Sequence, residues 1–411
     1  MLKTARTTTA LLATLLASPA QAGDACGDFK SATLSGDWSG RRASLCERGI
    51  AVDLTHKSDL LANVAGGIAR GSAWLMNSEA AFNLDLGKLA GWGNSSAFIQ
   101  YHIQHGAQSI NNYTGSFSGV SNIETGTRTS HFYQVWLQKN SDDDALSLLG
   151  GLYAVDSEFY VTDTSGLFLQ PPYGMSTEMS QTGRNGPPIF PMGALGMRAK
   201  YSGNSFYLQA ALTDGVPGDP DNAHGTHIRL GDGDGTFAIA EFAYTPAASA
   251  GKTAIGLWRY TARVDDLSET DTQGEPLRRA DRGVYFLAER TLLAEAGDPE
   301  QGLSGFVRFG MVNRDVYQSD CSGSIGFNYL GLFDGRGEDA AGIAVTVSHA
   351  SAKYRMSNAS EASETAIELT YRAQLLPWLA IQPDLQLIHN PNMDPALRDA
   401  WVAGTRLEIA L

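Results

Sequence analysis

The stretch from Trp401 to Leu411 alternates without a break. Trp401, Ala403, Thr405, Leu407, Ile409 and Leu411 fall on one face, and Gly404, Arg406, Glu408 and Ala410 on the other. Successive side chains of a strand point to opposite sides, so this segment has one oily face and one charged face. The pattern recurs along the chain. Ile50, Val52 and Leu54 alternate with Ala51, Asp53 and Thr55; Ile99, Tyr101 and Ile103 alternate with Gln100, His102 and Gln104. Residues 365–373 put Glu368, Thr370 and Arg372 on the polar side, and residues 379–387 do the same with Gln382, Asp384 and Gln386. A soluble β-sandwich would show the same alternation, burying the oily face and wetting the other. Persistence over the whole chain, with long polar joins alternating with short ones, favours a closed transmembrane barrel with lipid outside and water inside.

The N-terminus supports export. Lys3 and Arg6 precede a short apolar run and an Ala20-Gln21-Ala22 cleavage pattern, which reads residues 1–22 as a signal peptide. Nothing after Ala22 approaches the roughly 20 apolar residues of a spanning helix. With 43% hydrophobic residues, the chain still has ample apolar surface to place on strands. A net charge of −14 argues against nucleic acid as a partner, since phosphate binding needs clustered Lys and Arg. Export to an oxidising compartment allows disulfides. Cys26 and Cys46 are the favoured pair over no bridge at all, and Cys321 is left over.

Residues 23–49 differ from the rest. Ser35-Gly36-Asp37 offers a helix cap and Gly49 a stop, so one short helix is expected here, outside the barrel wall and on the periplasmic side. Residues 50–411 form the barrel, of about sixteen antiparallel strands. Two segments are ambiguous: 236–244 puts Phe237 and Ile239 on the same face as Glu241, and 252–263 spreads Trp258, Tyr260, Ile255 and Leu257 over both faces. Residues 139–144, 246–251 and 294–301 read as short turns. Residues 106–128, 170–191, 216–235 and 265–281 read as long loops or lumen inserts. The largest irregular stretch, 156–192, holds Pro171-Pro172, Pro187-Pro188 and Pro191; a loop of this length in a compact fold is usually functional, and here it would narrow the lumen.

Several segments together carry a resemblance to the carbohydrate-selective porin (OprB-type) family of Gram-negative outer membranes. They are residues 34–40 with Glu47-Arg48-Gly49-Ile50, residues 157–168, Gln181-Thr182-Gly183-Arg184-Asn185-Gly186-Pro187 and residues 214–220. Residues 364–372, Pro377-Trp378-Leu379, Gln382-Pro383-Asp384 and Asn390-Pro391 complete the set. They run in order through nearly the whole exported chain. The resemblance implies a sixteen-stranded barrel in outer-membrane lipid that passes monosaccharides and similar small polar solutes by diffusion. One departure is Leu411, where such barrels usually carry an aromatic residue. Porins commonly form trimers, so a homo-oligomer is compatible with the resemblance, although no strand marks an interface.

A sugar has polar edges and weakly apolar faces, so a selective lumen needs rings for stacking and paired donors and acceptors for hydroxyls. The candidate pore residues are Trp136 and Phe132, read on one face with Gln134 and Gln138; Glu79 and Asp85 on an early strand; and Arg184, Asn185, Asp156, Glu158 and Asp163 in the long insert. Arg184 either faces the carboxylates across a constriction or pairs with Glu158 to hold the loop still. Release must be fast, so binding is expected to be millimolar, about 4 kcal/mol. Enzyme signals are poor. Gly251-Lys252-Thr253 lacks the preceding glycine of a phosphate loop, and no nucleophile elbow occurs. His102 and His105 point to opposite faces of a strand, and no metal site or cofactor is expected. The competing readings are an outer-membrane barrel hydrolase acting on lipid and a soluble periplasmic glycan-binding β-protein.

Overall fold

The computed structural model describes residues 26–106, 108–246 and 251–411. The leader read at residues 1–22 lies outside them. Sixteen strands among the described residues form one closed antiparallel barrel. In order they are β1 Ile50–Gly67, β2 Gly71–Asp85, β3 Ser95–Gly106, β4 Thr129–Asn140, β5 Leu146–Tyr153, β6 Ala194–Ser202, β7 Phe206–Asp214 and β8 Thr236–Tyr244. The second half is β9 Gly251–Thr270, β10 Pro276–Ala294, β11 Gly302–Val312, β12 Ser319–Leu330, β13 Ala340–Ala350, β14 Ser363–Leu376, β15 Leu379–His389 and β16 Arg398–Ala410. Each strand pairs with its sequence neighbours, and β1 closes on β16 through Thr55↔Ala410 to Ala62↔Ala403. Closure leaves no free sheet edge, as a hydrocarbon surrounding demands.

The alternation sorts the side chains. Outward positions carry Leu60, Met197, Leu257, Phe309, Ile325 and Leu369, all large, apolar and exposed, Met197 as much as 64%. Inward positions carry Asp59, Gln209, Glu241, Arg308, Glu368 and Arg406, all buried. This inversion of a soluble protein is what lipid outside and polar contacts inside produce.

The end of the barrel that holds the termini is clasped by residues 28–49. Cys26 is bonded to Cys46. Trp38–Gly40 forms a short 3-10 turn and Arg41–Glu47 an α-helix, whose Ala43 amide donates to Asp37 at 2.8 Å. The Arg42 guanidinium donates to the Val52 carbonyl at 2.6 Å and the Leu411 carbonyl at 2.8 Å, bridging the two strands of the seam. It lies under the rings of Phe29 and Trp38, each about 5 Å away.

At the opposite end the joins are longer, with one correction. Residues 265–281 are not a loop. β9 and β10 continue past their neighbours to a tight turn at 271–275, closed by the Asp271 N–H donating to the Glu275 carbonyl at 2.8 Å. Charge holds this extension together: Arg278 meets Asp265 at 2.7 Å, and Arg279 and Lys353 both meet Asp266 at 2.7 Å. The extension has charges where strands in lipid have alternating apolar residues, which is why it reads as a loop.

Candidate functional site

Residues 154–193, between β5 and β6, fold into the lumen and are tied to the wall on many sides. A buried loop must satisfy its own backbone polar groups, and here the inward side chains do it. Glu241 on β8 accepts from the Tyr160 amide at 2.9 Å and from the hydroxyls of Tyr207 and Tyr285 at 2.8 and 2.7 Å. Glu368 on β14 accepts from the Leu169 and Gln170 amides at 2.6 and 3.0 Å. Arg308 on β11 donates to the carbonyls of Tyr160 and Gly174, both at 2.8 Å, and to that of Tyr173. Gln382 on β15 donates to the Leu167 carbonyl at 2.7 Å. The bonds from the Arg308 guanidinium are stronger than those from a neutral donor such as Gln382.

The same insert explains the two ambiguous segments. Phe237, Ile239 and Glu241 all face inward, as do Trp258 and Tyr260, while Ile255 and Leu257 face out. The apolar members pack against Val155, Phe159, Tyr160, Met175 and Met179 of the insert. Tyr160 stacks on Tyr285 with centroids 4.0 Å apart. Here the lumen has a true apolar core.

A second loop, residues 108–128, also turns inward. Glu364 on β14 accepts from the Phe117 and Ser118 amides at 2.7 and 2.8 Å. Asp59 on β1 and Arg406 on β16 form a buried two-point pair at 2.7 and 2.8 Å; Ser121 donates to Asp59, and Arg406 donates to Asn122. Asn122 in turn donates through its amide to the Leu169 carbonyl at 2.7 Å, joining the two inserts.

The residues singled out from the sequence scatter over these parts. Glu158 is buried and paired with Arg198 on β6 through two bonds of 2.8 and 2.9 Å, with the Tyr153 hydroxyl adding a third at 2.6 Å. The alternative that Glu158 pairs with Arg184 is therefore corrected. Arg184 is 59% exposed and lies 3.6 Å from Asp234 in the loop after β7. Asn185 donates to the Pro217 carbonyl of that same loop at 2.7 Å. Asp156 accepts from the Tyr133 hydroxyl and the Phe190 amide, both at 2.8 Å, which pins the two limbs of the insert. Asp163 is exposed at the start of a 3-10 turn. Asp85 caps the short helix after β2 by accepting from the Lys88 amide at 3.1 Å.

On β4, Trp136 and Gln134 face inward, but Phe132 does not. A bulge puts Tyr133 and Gln134 both inward and turns Phe132 out, where it is 43% exposed and meets Tyr101 edge-on. This corrects the shared face read from the sequence. Glu79 faces inward on β2, accepting from Asn77 at 2.6 Å and Gln100 at 3.1 Å. Gln134 donates to Gln100 at 3.1 Å, and Phe98 lies against Trp136 with centroids 5.2 Å apart. β2 to β4 thus offer a track of amides, carboxylate and rings down one side of the lumen. Elsewhere toward the terminal end, opposite charges face the space in pairs: Lys252 with Glu289 at 3.7 Å and Arg372 with Glu408 at 2.8 Å.

The anchoring residues Arg198, Glu241, Arg308, Glu364, Glu368 and Arg406 were not among the pore candidates. Their signal was an isolated charge within a strand of apolar neighbours, as in Phe306-Val307-Arg308-Phe309.

Comparison with known proteins agrees with this architecture. The family described as carbohydrate-selective porin, OprB family, matches residues 70–411. Porin B of Pseudomonas aeruginosa is 24% identical over 437 residues, covering 96% of this chain and 94% of that one. The putative porin QuiX of Acinetobacter baylyi is 23% identical, covering 92% of each. In fold, the high-pH structure of Pseudomonas putida OprB matches with a TM-score of 0.84 at 21% identity, covering 93% of this chain and 99% of that one. The chain belongs to the OprB family of carbohydrate-selective porins, barrels of the Gram-negative outer membrane.

Proposed function

We propose that this porin passes monosaccharides and other small polar solutes passively through the space left between its inserted loops and the β2–β4 wall. The observation that carries this reading is the unequal lining of the lumen: the amides of Asn77, Gln100 and Gln134 with Glu79 along β2 to β4, and a loop-filled aromatic core that begins at the Phe98–Trp136 ring pair. Rings offer a surface to the sugar face, and amides exchange bonds with its hydroxyls at little net cost, so solute enters without being held. In this reading residues 1–22 are removed on export, residues 23–49 and the terminal end face the periplasm, and residues 50–411 are the barrel. Glu79, Trp136 and Asp156 remain near the solute path, Arg184 and Asn185 belong to the entrance, and Asp163 lies deeper, beside Thr164, whose amide donates to Glu289.

Liposome swelling across sugars of rising size tests the reading. Monosaccharides should enter fast and larger oligosaccharides slowly. Vesicles that leak no sugar, or a protein recovered soluble without detergent, would sink it. Glucose should block single-channel ion current only at millimolar concentration, about 4 kcal/mol of binding; micromolar block would contradict free diffusion.

A further inference from the structure

Four inward side chains on the loop-end half of the β2–β4 wall stand apart. Asn77 lies directly across from Gln104, and His102 directly across from His131. Each is about 1% exposed. Yet Asn77 Oδ1, both ring nitrogens of His102, both amide atoms of Gln104 and His131 Nδ1 have no hydrogen-bond partner. The nearest charge is Glu79, whose Oε2 lies 3.7 Å from His102 Nε2, beyond bonding distance. Single wall atoms elsewhere, such as Trp258 Nε1, Arg308 Nε and Asp384 Oδ2, are also without partners, but here six such atoms on four neighbouring side chains fall together, whereas Glu241, Glu364 and Glu368 are spent on the inserted loops. The clustered atoms are buried and unspent, which is costly unless another state of the channel uses them.

What covers them is aromatic. The Tyr133 ring lies 4.7 Å from His102, the Phe190 ring 5.6 Å from it, and the two rings meet edge-on at 6.0 Å. Phe190 is half-buried at the end of the insert, and the next residue's carbonyl, Pro191 O, is 2.8 Å from His131 Nε2. Donors and acceptors in close alternation beside two ring faces match a pyranose, whose hydroxyls donate and accept while its ring face is weakly apolar. Water meets only the polar atoms, whereas a pyranose meets the polar atoms and the rings together.

We propose that Asn77, His102, Gln104 and His131, with Tyr133 and Phe190, form the sugar-selecting subsite of this channel, engaged when the limb carrying Phe190 and Pro191 lifts from the wall. This rests on the carbohydrate-diffusion reading above and gives that path its point of discrimination. Below it the track continues through Gln100, Gln134 and Trp136.

The test compares glucose permeation in liposomes with potassium chloride conductance in planar bilayers, for the wild type and the double variant His102→Phe, Gln104→Leu. Apolar groups in place of unpartnered polar ones remove a burden on folding, and heat-modifiable gel mobility checks that the barrel has formed. The double variant should pass glucose about tenfold more slowly, the worth of one or two lost hydrogen bonds, with salt conductance within about twofold. His102→Gln, which keeps a donor and an acceptor, should retain the glucose preference. Unchanged glucose permeation in the double variant overturns the subsite, as does a proportional fall of sugar and salt. A wild type indifferent between glucose and a zwitterion of equal size overturns the carbohydrate reading itself, and the subsite with it.

Discussion

The two sides of the lumen use one strand geometry to opposite ends. Along β8 to β11 the inward face carries Phe237, Ile239, Trp258, Tyr260 and Tyr285, packed against the insert and sealed from solvent. Along β2 to β4 it carries Asn77, Glu79, Gln100, His102 and Gln134, whose polar atoms bond mostly to one another or to nothing, Gln134 alone also accepting from the Ala154 amide of the insert. Both faces are inward, so facing the lumen does not decide polarity. What decides it is what the insert lays against the wall: apolar side chains along β8 to β11, and one ring and a backbone carbonyl along β3 and β4. The first side behaves as the core of a soluble domain and should respond to mutation in stability. The second should respond in permeation.

The largest effect is expected where the insert is anchored to the wall. Arg198→Ala strands the buried Glu158 carboxylate without its partner, which costs on the order of 3–5 kcal/mol. The detergent-solubilised barrel should unfold at markedly lower temperature and its ion conductance should become noisy as the insert loosens. An unchanged unfolding temperature would break the distinction between the two sides. A smaller loss is expected at Gly256, where any Cβ would overlap the Tyr285 ring. Gly256→Ala should cost about 1–3 kcal/mol by overpacking, again read in thermal unfolding.

On the polar side the readout changes. Phe98→Leu removes one ring of the pair with Trp136, and glucose block of ion current should weaken by about 0.5–1.5 kcal/mol, with a smaller loss of stability than Arg198→Ala because Phe98 lies at the margin of the core. If stability fell and glucose block did not, the assignment of roles would be reversed. The smallest effect belongs to the loop after β7, outside both sides. Bonds from the Asp221 amide, then from the Arg229 guanidinium, hold the Asp219 carboxyl below its ordinary range. A lowered carboxylate stabilises the loop above its unfolded value, and that support is lost as pH falls through the lowered one. Hydrogen exchange across residues 219–231 should quicken in that acid window beyond the intrinsic rate change, and Asp219→Asn should abolish the difference.

The strands whose inward faces stay polar, whether they meet open lumen or the backbone of an insert, were legible. β1, β3, β14, β15 and β16 alternate cleanly because one face meets acyl chains and the other meets polar groups. β8 and β9 were not, because the insert makes their inward face apolar too. Phe132 was placed on the wrong face because a bulge is one extra residue that leaves no compositional trace. The partner of Glu158 was out of reach for a different reason. Arg198 lies 40 positions away, and only the register of β5 on β6 brings it under the insert. The conspicuous Arg184 drew attention as a charge in the long loop, yet it points to Asp234 at the entrance.

The wall contacts of the insert fan out to β6, β8, β10, β11, β14 and β15, like spokes reaching a rim. A hoop braced in this way resists becoming oval when squeezed from the side. The bore is then set by its internal struts and not by the surrounding bilayer, so stretching or thickening the membrane should leave the rate of sugar entry unaltered.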